Sequence, residues 1–365
     1  MPPVPPEERL ASLDILRGVA LFGVLVVNLD TGFRVSIFEH FLPDRRPLSM
    51  PDLVVEALVS YALELKALAL FSFLFGVGLA IQFERLSLQG SPLYWLARRL
   101  AVLLMLGLVH LFFIWNGDIL TEYAVAGFLA LPFLLAPTWL LAVASASLLA
   151  LYVVMPMLPL PIPWPDAATL RLQAAEANRV YATGGFGEIW RFALGELPLV
   201  ALLHLYVFPR TLALFLLGAL VWRIGVLRDL PRYKRGLALA AGIGIVVGFA
   251  LTAGGGAPER LGTVVLAAGY AAAVLVLVRA LNLFAPVGRM AFTNYLMQSL
   301  VFGFIFFGYG LGQFGRLGAA QALAIGVAIY IAQMLLSAWW LRRFRFGPVE
   351  WLWRTLMYGK AQPLR

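Results

Sequence analysis

Cysteine is absent from all 365 residues. Its absence excludes disulfides, a thiolate nucleophile, cysteine-ligated zinc or iron–sulfur clusters and a palmitoyl anchor. A cysteine-linked acyl-enzyme is excluded with them. Charge is also scarce. Only 13% of the residues are charged and 62% are apolar, against about 25% and 45–50% in soluble domains. The mean hydropathy is +0.87. Long polar stretches are missing too: the longest, about 161–196, is shorter than the roughly 40 residues an unaided domain needs. No internal repeat, heptad pattern, GxGxxG, P-loop, HExxH or GxSxG motif stands in a suitable context. No metal site is expected.

What is present is a succession of apolar runs of about twenty residues. These predict an all-α polytopic membrane protein, a single integral unit over 1–365 with about ten transmembrane helices. The helices are placed near 11–29, 54–82, 100–115, 119–135, 138–158, 198–222, 236–253, 261–278, 289–309 and 319–341. The second window exceeds one crossing, so its first half, with Glu56, Glu64 and Lys66, is expected along the membrane interface before Ala67–Phe83 crosses. The first helix follows an acidic, proline-rich tail, carries Asp14 and Arg17 and has no small-residue cleavage site. It reads as a retained span rather than a cleaved signal. Gly244 and Gly248 are spaced for close helix packing.

The net charge of +9 comes from 28 basic residues. With both termini cytoplasmic, 18 of them fall on the inner side and eight in outer loops, three of those in 161–196, read as an outer loop. This topology accounts for the basic balance without nucleic acid. The chain divides into helices over 1–160, that loop, and a second helical half over 197–365.

Ionisable groups inside spans cost about 2.5–3.5 kcal/mol each at a helix centre, so each needs a reason. Asp14, Arg17 and Asn28 share one face of the first helix, because 11 residues return to within roughly 20° of the starting direction. That face carries a cation at one end and an amide about 16 Å away. Asp14 and Arg17 also fit a simple i,i+3 pair. Histidine suits proton transfer near neutrality, and His40, His110 and His204 all fall toward the outer half of this topology. His110 precedes the turn Trp115-Asn116-Gly117-Asp118, which brings Asp118 and Glu122 near it. Asp118 is equally suited to cap the next helix. Arg210 follows Pro209, where a kink is expected, and is matched either to Glu64 or Glu122 or to an anionic ligand. Asn294 and Gln298 share a face near Arg289 and suit a lined cavity or polar packing.

Four motifs, in order along the chain, resemble the bacterial YeiB-like membrane family, whose domain is described as of unknown function. They are Leu13-Asp14-Ile15-Leu16-Arg17-Gly18 through Asn28, His110 with Trp115-Asn116-Gly117-Asp118-Ile119-Leu120, Gly288-Arg289-Met290-Ala291-Phe292-Thr293-Asn294-Tyr295, and Gly347-Pro348-Val349-Glu350-Trp351-Leu352-Trp353-Arg354. The N-terminal part is similar to heparan-alpha-glucosaminide N-acetyltransferase and its membrane acyltransferase superfamily. In that relative the first helix ends with an Asn and a catalytic His follows; Asn28 and His40 stand at those places. A broader set of membrane acyltransferases has Arg-x10-His in the first helix, where this chain has Arg17 and Asn28.

The resemblance implies acyl transfer, acetyl most simply, from cytosolic acyl-CoA to a small-molecule or glycan amine or hydroxyl at the outer face of a bacterial inner membrane. The expected donor site is Arg17, paired with Asp14, together with Arg98, Arg99, Arg289, Asn294 and Gln298. His204 and Arg210 are assigned to the acceptor. His110 or His40 is the expected base, with Asp118 or Glu122 orienting it and Asn28 donating to the oxyanion. A homodimer is left open. The alternative is a transporter or channel for a small metabolite, with Arg210, Asn294 and Gln298 along its pathway.

Overall fold

The computed structural model describes residues 11–42, 48–88, 90–158 and 164–365. The acidic, proline-rich tail, the basic residues Arg9, Arg45 and Arg46, and the first three positions of the 161–196 segment lie outside the described residues. Within them the regular structure is helical. Eight helical segments are long and apolar enough to cross a membrane. Two of the ten expected spans are shorter: α5 covers Leu120–Ala130 and α12 covers Ala291–Phe306. Pro132 halts α5 in a 3-10 turn, and extended backbone at Phe307 ends α12.

The long elements are α1 (Ala11–Asn28), α3 (Lys66–Ser87), α4 (Pro92–Phe113), α6 (Thr138–Val154), α8 (Phe186–Arg223), α9 (Leu230–Ala253), α10 (Gly256–Val276) and α13 (Ala319–Leu341). Shorter ones are α2 (Met50–Leu58), α7 (Ala167–Thr183), α11 (Ala285–Arg289) and α14 (Pro348–Tyr358). α8 runs through Pro198 and Pro209 as one helix of 38 residues. α9 packs on α10 where a Cβ at Gly244 would meet the Gly269 backbone at 2.9 Å, so the glycine spacing does mark close packing.

Two sequence expectations change. Of the 161–196 segment, read as a loop, residues 167–183 form α7 and those from 186 onward open α8. Asp166 accepts from the Thr169 amide at 2.8 Å and starts α7, and Leu170, Ala174, Ala177 and Tyr181 form its buried stripe. Low hydropathy hid an amphipathic helix. The charges expected along the membrane interface also turn inward. Glu56 accepts from Arg34 Nη2 at 2.8 Å, and Lys66 is 2% exposed with its Nζ donating to the Ser60 carbonyl at 2.8 Å. The cause is a break between α2 and α3, where a π-turn over Val59–Leu63 gives way to Leu65 at φ +60°.

α14 closes one end of the bundle. Glu350 Oε1 accepts from the amides of Phe292 (2.8 Å) and Thr293 (3.1 Å), and Oε2 accepts from the Thr293 hydroxyl. It thereby caps α12 from another helix. Burial pushes the Glu350 carboxyl pKa up, against those hydrogen bonds. Glu350→Ala should lower stability by about 1–3 kcal/mol, because two buried amides lose their acceptor. Thermal unfolding of the purified protein checks it; an unchanged Tm would remove Glu350 from the cap.

Candidate functional site

α4 and α5 are joined by the turn over 114–119, and that turn sets the geometry of His110. The ring is 0% exposed. Its Nδ1 lies 2.8 Å from Asp118 Oδ1, while Asp118 Oδ2 accepts from the Thr121 amide at 2.7 Å. Asp118 therefore both caps α5 and orients the imidazole. With Nδ1–H donating to the carboxylate, Nε2 is left to accept from the Ser299 hydroxyl, 3.0 Å away. Ser299 comes from α12 and is 3% exposed. Asp118, His110 and Ser299 form a buried carboxylate–imidazole–hydroxyl relay, the arrangement that activates a serine oxygen.

The surroundings hold this relay in place. The Tyr295 ring centroid is 5.2 Å from His110, and Trp115 packs edge-on at 6.4 Å. Trp115 stacks on Phe33 at 4.6 Å and fills the space beside Gly32. Asn28 stands one turn before Gly32, where α1 turns into a π-helix over Leu29–Phe33. Such π-segments recur at functional sites. Next to the turn lies a cavity of about 30 Å³, lined by Trp115, Asn116, Tyr181, Phe186, Trp190 and Tyr309 among others. Two of its lining residues, Asn116 and Tyr181, belong to a second polar centre: Glu196 accepts from Asn116 Nδ2 (2.9 Å), Gln173 Nε2 (3.2 Å) and the Tyr181 hydroxyl. Burial pushes the Tyr181 pKa well up, so the phenol remains a donor.

At the other end of α1 and α4 the arginines gather. Arg17 Nη1 donates to Asp14 at 3.0 Å. Arg99 packs on the Trp353 ring at 4.4 Å and feels the like charges of Arg17 and Arg354. Arg98 donates to the Leu356 carbonyl at 3.4 Å. Gly288 lies against the Asp14 carbonyl, which sets Arg289 beside the same end of α1. Arg99 and His110 are 11 residues apart on α4, as Arg17 and Asn28 are on α1. Each helix thus carries a guanidinium and, about 16 Å along the same face, a polar group of the histidine end.

The remaining expected residues go elsewhere. Glu122 does not orient His110: it pairs with His204 Nδ1 and accepts from the Thr211 hydroxyl. His40 stands on a separate 3-10 turn, Ile37–Phe41, against α7. Arg210 meets neither Glu64 nor Glu122; its Nη1 donates to the Leu65 carbonyl at 3.4 Å and its guanidinium faces Tyr152 at 5.5 Å. Asn294 and Gln298 bind α13, donating to Ser337 Oγ (3.0 Å) and Gln333 Oε1 (2.9 Å), which is interhelical polar packing. Ser299, Arg354 and Glu196 were not singled out by sequence. Ser299 lies one position round the helix from Gln298, on the Tyr295 face, and Arg354 ends the fourth motif.

Residues 221–360 match the family model described as "Protein of unknown function (DUF418)". The chain is 35% identical to the "Uncharacterized protein YxaH" of Bacillus subtilis (strain 168), covering 98% of this chain and 96% of that one. It is 29% identical to the "Uncharacterized protein YeiB" of Escherichia coli (strain K12), over 98% of each. It is also 29% identical to the "Uncharacterized 39.9 kDa protein in amylase 3'region" of Bacillus acidopullulyticus, over 100% and 98%. With likeness running through nearly all of both chains, the protein belongs to the YeiB-like family of bacterial multi-pass membrane proteins, described as of unknown function.

Proposed function

We propose that the protein is a membrane-embedded acyltransferase of the bacterial inner membrane. It takes an acyl group from cytosolic acyl-CoA and passes it to an amine or hydroxyl, a sugar in the simplest case, at the outer face. The observation that carries this reading is the Asp118–His110–Ser299 relay, a buried hydroxyl hydrogen-bonded to an oriented imidazole. The motifs similar to membrane acyltransferases and the arginine cluster about 16 Å down α1 and α4 support it.

In this reading both termini and the arginine end are cytoplasmic. Arg17, Arg98, Arg99, Arg289 and Arg354 bind the phosphates of CoA by charge-assisted hydrogen bonds, and the acyl arm extends toward His110. Ser299 Oγ attacks the thioester carbonyl while His110 Nε2 takes its proton. The C–S bond then breaks, and the CoA sulfur leaves with that proton. Next the acceptor nitrogen or oxygen attacks the seryl ester, giving its proton to His110. Ser299 recovers that proton as the ester bond breaks. Asp118 keeps the imidazole in the required tautomer throughout, and Asn28 is assigned to the developing oxyanion.

The test is binding. Acetyl-CoA should stabilise the purified protein by about 2.7 kcal/mol at a hundred times Kd, and it should bind inside-out but not right-side-out vesicles. Arg99→Gln should weaken that binding about 10- to 100-fold, the worth of one charge-assisted hydrogen bond. Absence of acyl-CoA binding to the wild type would favour the transporter reading. Binding to right-side-out vesicles alone would reverse the orientation.

A further inference from the structure

The break between α2 and α3 carries two buried cations, Lys66 and Arg210, that take no part in the relay or the arginine end; the resemblance assigns Arg210 to the acceptor. Arg210 is 1% exposed and sits in the middle of the apolar stretch of α8. Among the described residues its guanidinium makes one hydrogen bond, the 3.4 Å contact to the Leu65 carbonyl, and its buried Nε has no partner. A guanidinium offers five donors. A buried cation left in that state is expensive unless an anion completes it. Lys66, 2% exposed, directly follows Leu65, whose carbonyl Arg210 contacts, and its Nζ uses the Ser60 carbonyl.

The backbone at this point is unusual as well. Leu65 is the residue before α3, and it holds a left-handed conformation, φ +60° and ψ −24°, which is costly for a side chain branched beyond Cβ. Among the described residues, no N-cap side chain accepts from the first turn of α3. The Lys66 amide donates to the Glu64 carbonyl at 2.7 Å, and the later first-turn amides of this 22-residue helix open, positive end outward, beside the Leu65 carbonyl that Arg210 reaches. Discontinuous membrane helices with such half-helix N-termini hold anionic groups. Carboxylates do stand nearby. Glu64 and Glu259 act on Lys66, while Glu122 is already engaged by His204 and Thr211. Arg260 is engaged by the Tyr152 carbonyl.

We infer that the α2–α3 break is an anion site, in which Arg210, the Lys66 ammonium and the first-turn amides of α3 after Lys66 hold one carboxylate or phosphate group. The site is separate from the arginine end and does not depend on the acyl-transfer reading. Two sources share this chemistry, a soluble phosphate and the headgroup of an anionic lipid.

The full chain, purified in neutral detergent, is unfolded thermally while inorganic phosphate replaces chloride at constant ionic strength. In a second arm, nanodiscs of phosphatidylcholine with and without phosphatidylglycerol are compared. Wild type and Arg99→Gln should show a saturable rise in Tm in one arm or the other, and that arm identifies the source. Arg210→Gln should bind about 10- to 100-fold more weakly, with Lys66→Gln shifted in the same direction. Without phosphate or phosphatidylglycerol, Arg210→Met should unfold at or above the wild-type temperature, because the uncompensated charge is gone. No saturable response of the wild type in either arm would overturn the proposal. So would a response kept in Arg210→Gln but lost in Arg99→Gln, which would put the anion at the arginine end. An Arg210→Met protein strongly destabilised with and without phosphate or phosphatidylglycerol would overturn the proposal and make Arg210 a structural residue.

Discussion

Replacing His110 by Ala should lower acyl-transfer turnover about 10²- to 10⁴-fold while acyl-CoA still binds. Both ring nitrogens are committed, Nδ1 to Asp118 and Nε2 to Ser299, so the substitution removes the proton carrier and leaves two buried polar groups unpaired. Asp118→Asn tests the orienting role separately. Its amide can still cap Thr121 but cannot act as an anionic partner to the imidazole, and turnover should fall with Tm little changed. Ser299→Ala decides the route. If Ser299 is the nucleophile, activity falls with that of His110→Ala, and the wild type incubated with acyl-CoA and no acceptor carries an acyl adduct that the Ser299→Ala protein lacks. Unchanged turnover in Ser299→Ala would mean direct attack by the acceptor, with His110 as its base. His40→Ala is the control, because the remote relative places its catalytic His there. Loss of activity only at His40 would leave the relay structural.

Replacing Gly288 by Ala should destabilise the protein at or beyond the upper end of the roughly 1–3 kcal/mol usual for overpacking. A Cβ at Gly288 would stand 1.8 Å from the Asp14 carbonyl oxygen and 2.7 Å from the Gly18 amide nitrogen, both backbone atoms. Gly18 is equally tight: its Cβ would meet the Phe284 carbonyl at 2.3 Å. Neither wall can rotate away, so α1 and α11 must separate. That separation displaces Arg289 from the end of α1 carrying Arg17, and acyl-CoA binding should fall along with Tm. Gly236→Ala supplies the contrast. A Cβ there meets nothing within 4 Å, and the residue is on α9, so helix propensity alone should leave stability equal or up to about 1 kcal/mol higher. Equal Tm values for the two variants would refute the close approach of α1 and α11.

These two experiments probe different levels of the same chain, and the levels differ in how far they can be read without a structure. Composition and apolar windows determined the class, an all-helical multi-pass membrane protein, because a helix satisfies its own backbone and needs only a run of residues to declare itself. They also determined what is local. The Asp14–Arg17 pair is three residues apart and forms as spaced. Asp118 is eight residues from His110 across an Asn-Gly turn, and the turn alone brings them together. Where two local options competed, only the packed structure decided. Asp118 and Glu122 both follow His110 within twelve residues, but α5 turns Glu122 onto α8, where His204 and Thr211 take it. Ser299 lies 189 residues from His110, and only the placing of α12 between α4 and α13, with one face toward each, separates its role from that of its neighbour Gln298. Arg354 joined Arg17 and Arg99 because Glu350 docks α14 on the start of α12. Lys66 and Glu56 turned inward because the chain breaks at Leu65, a residue with no glycine or proline to announce a left-handed turn. Periodicity reports which face of a helix is apolar. Which helix that face meets depends on backbone contacts such as Gly18 with α11, made between segments about 270 residues apart.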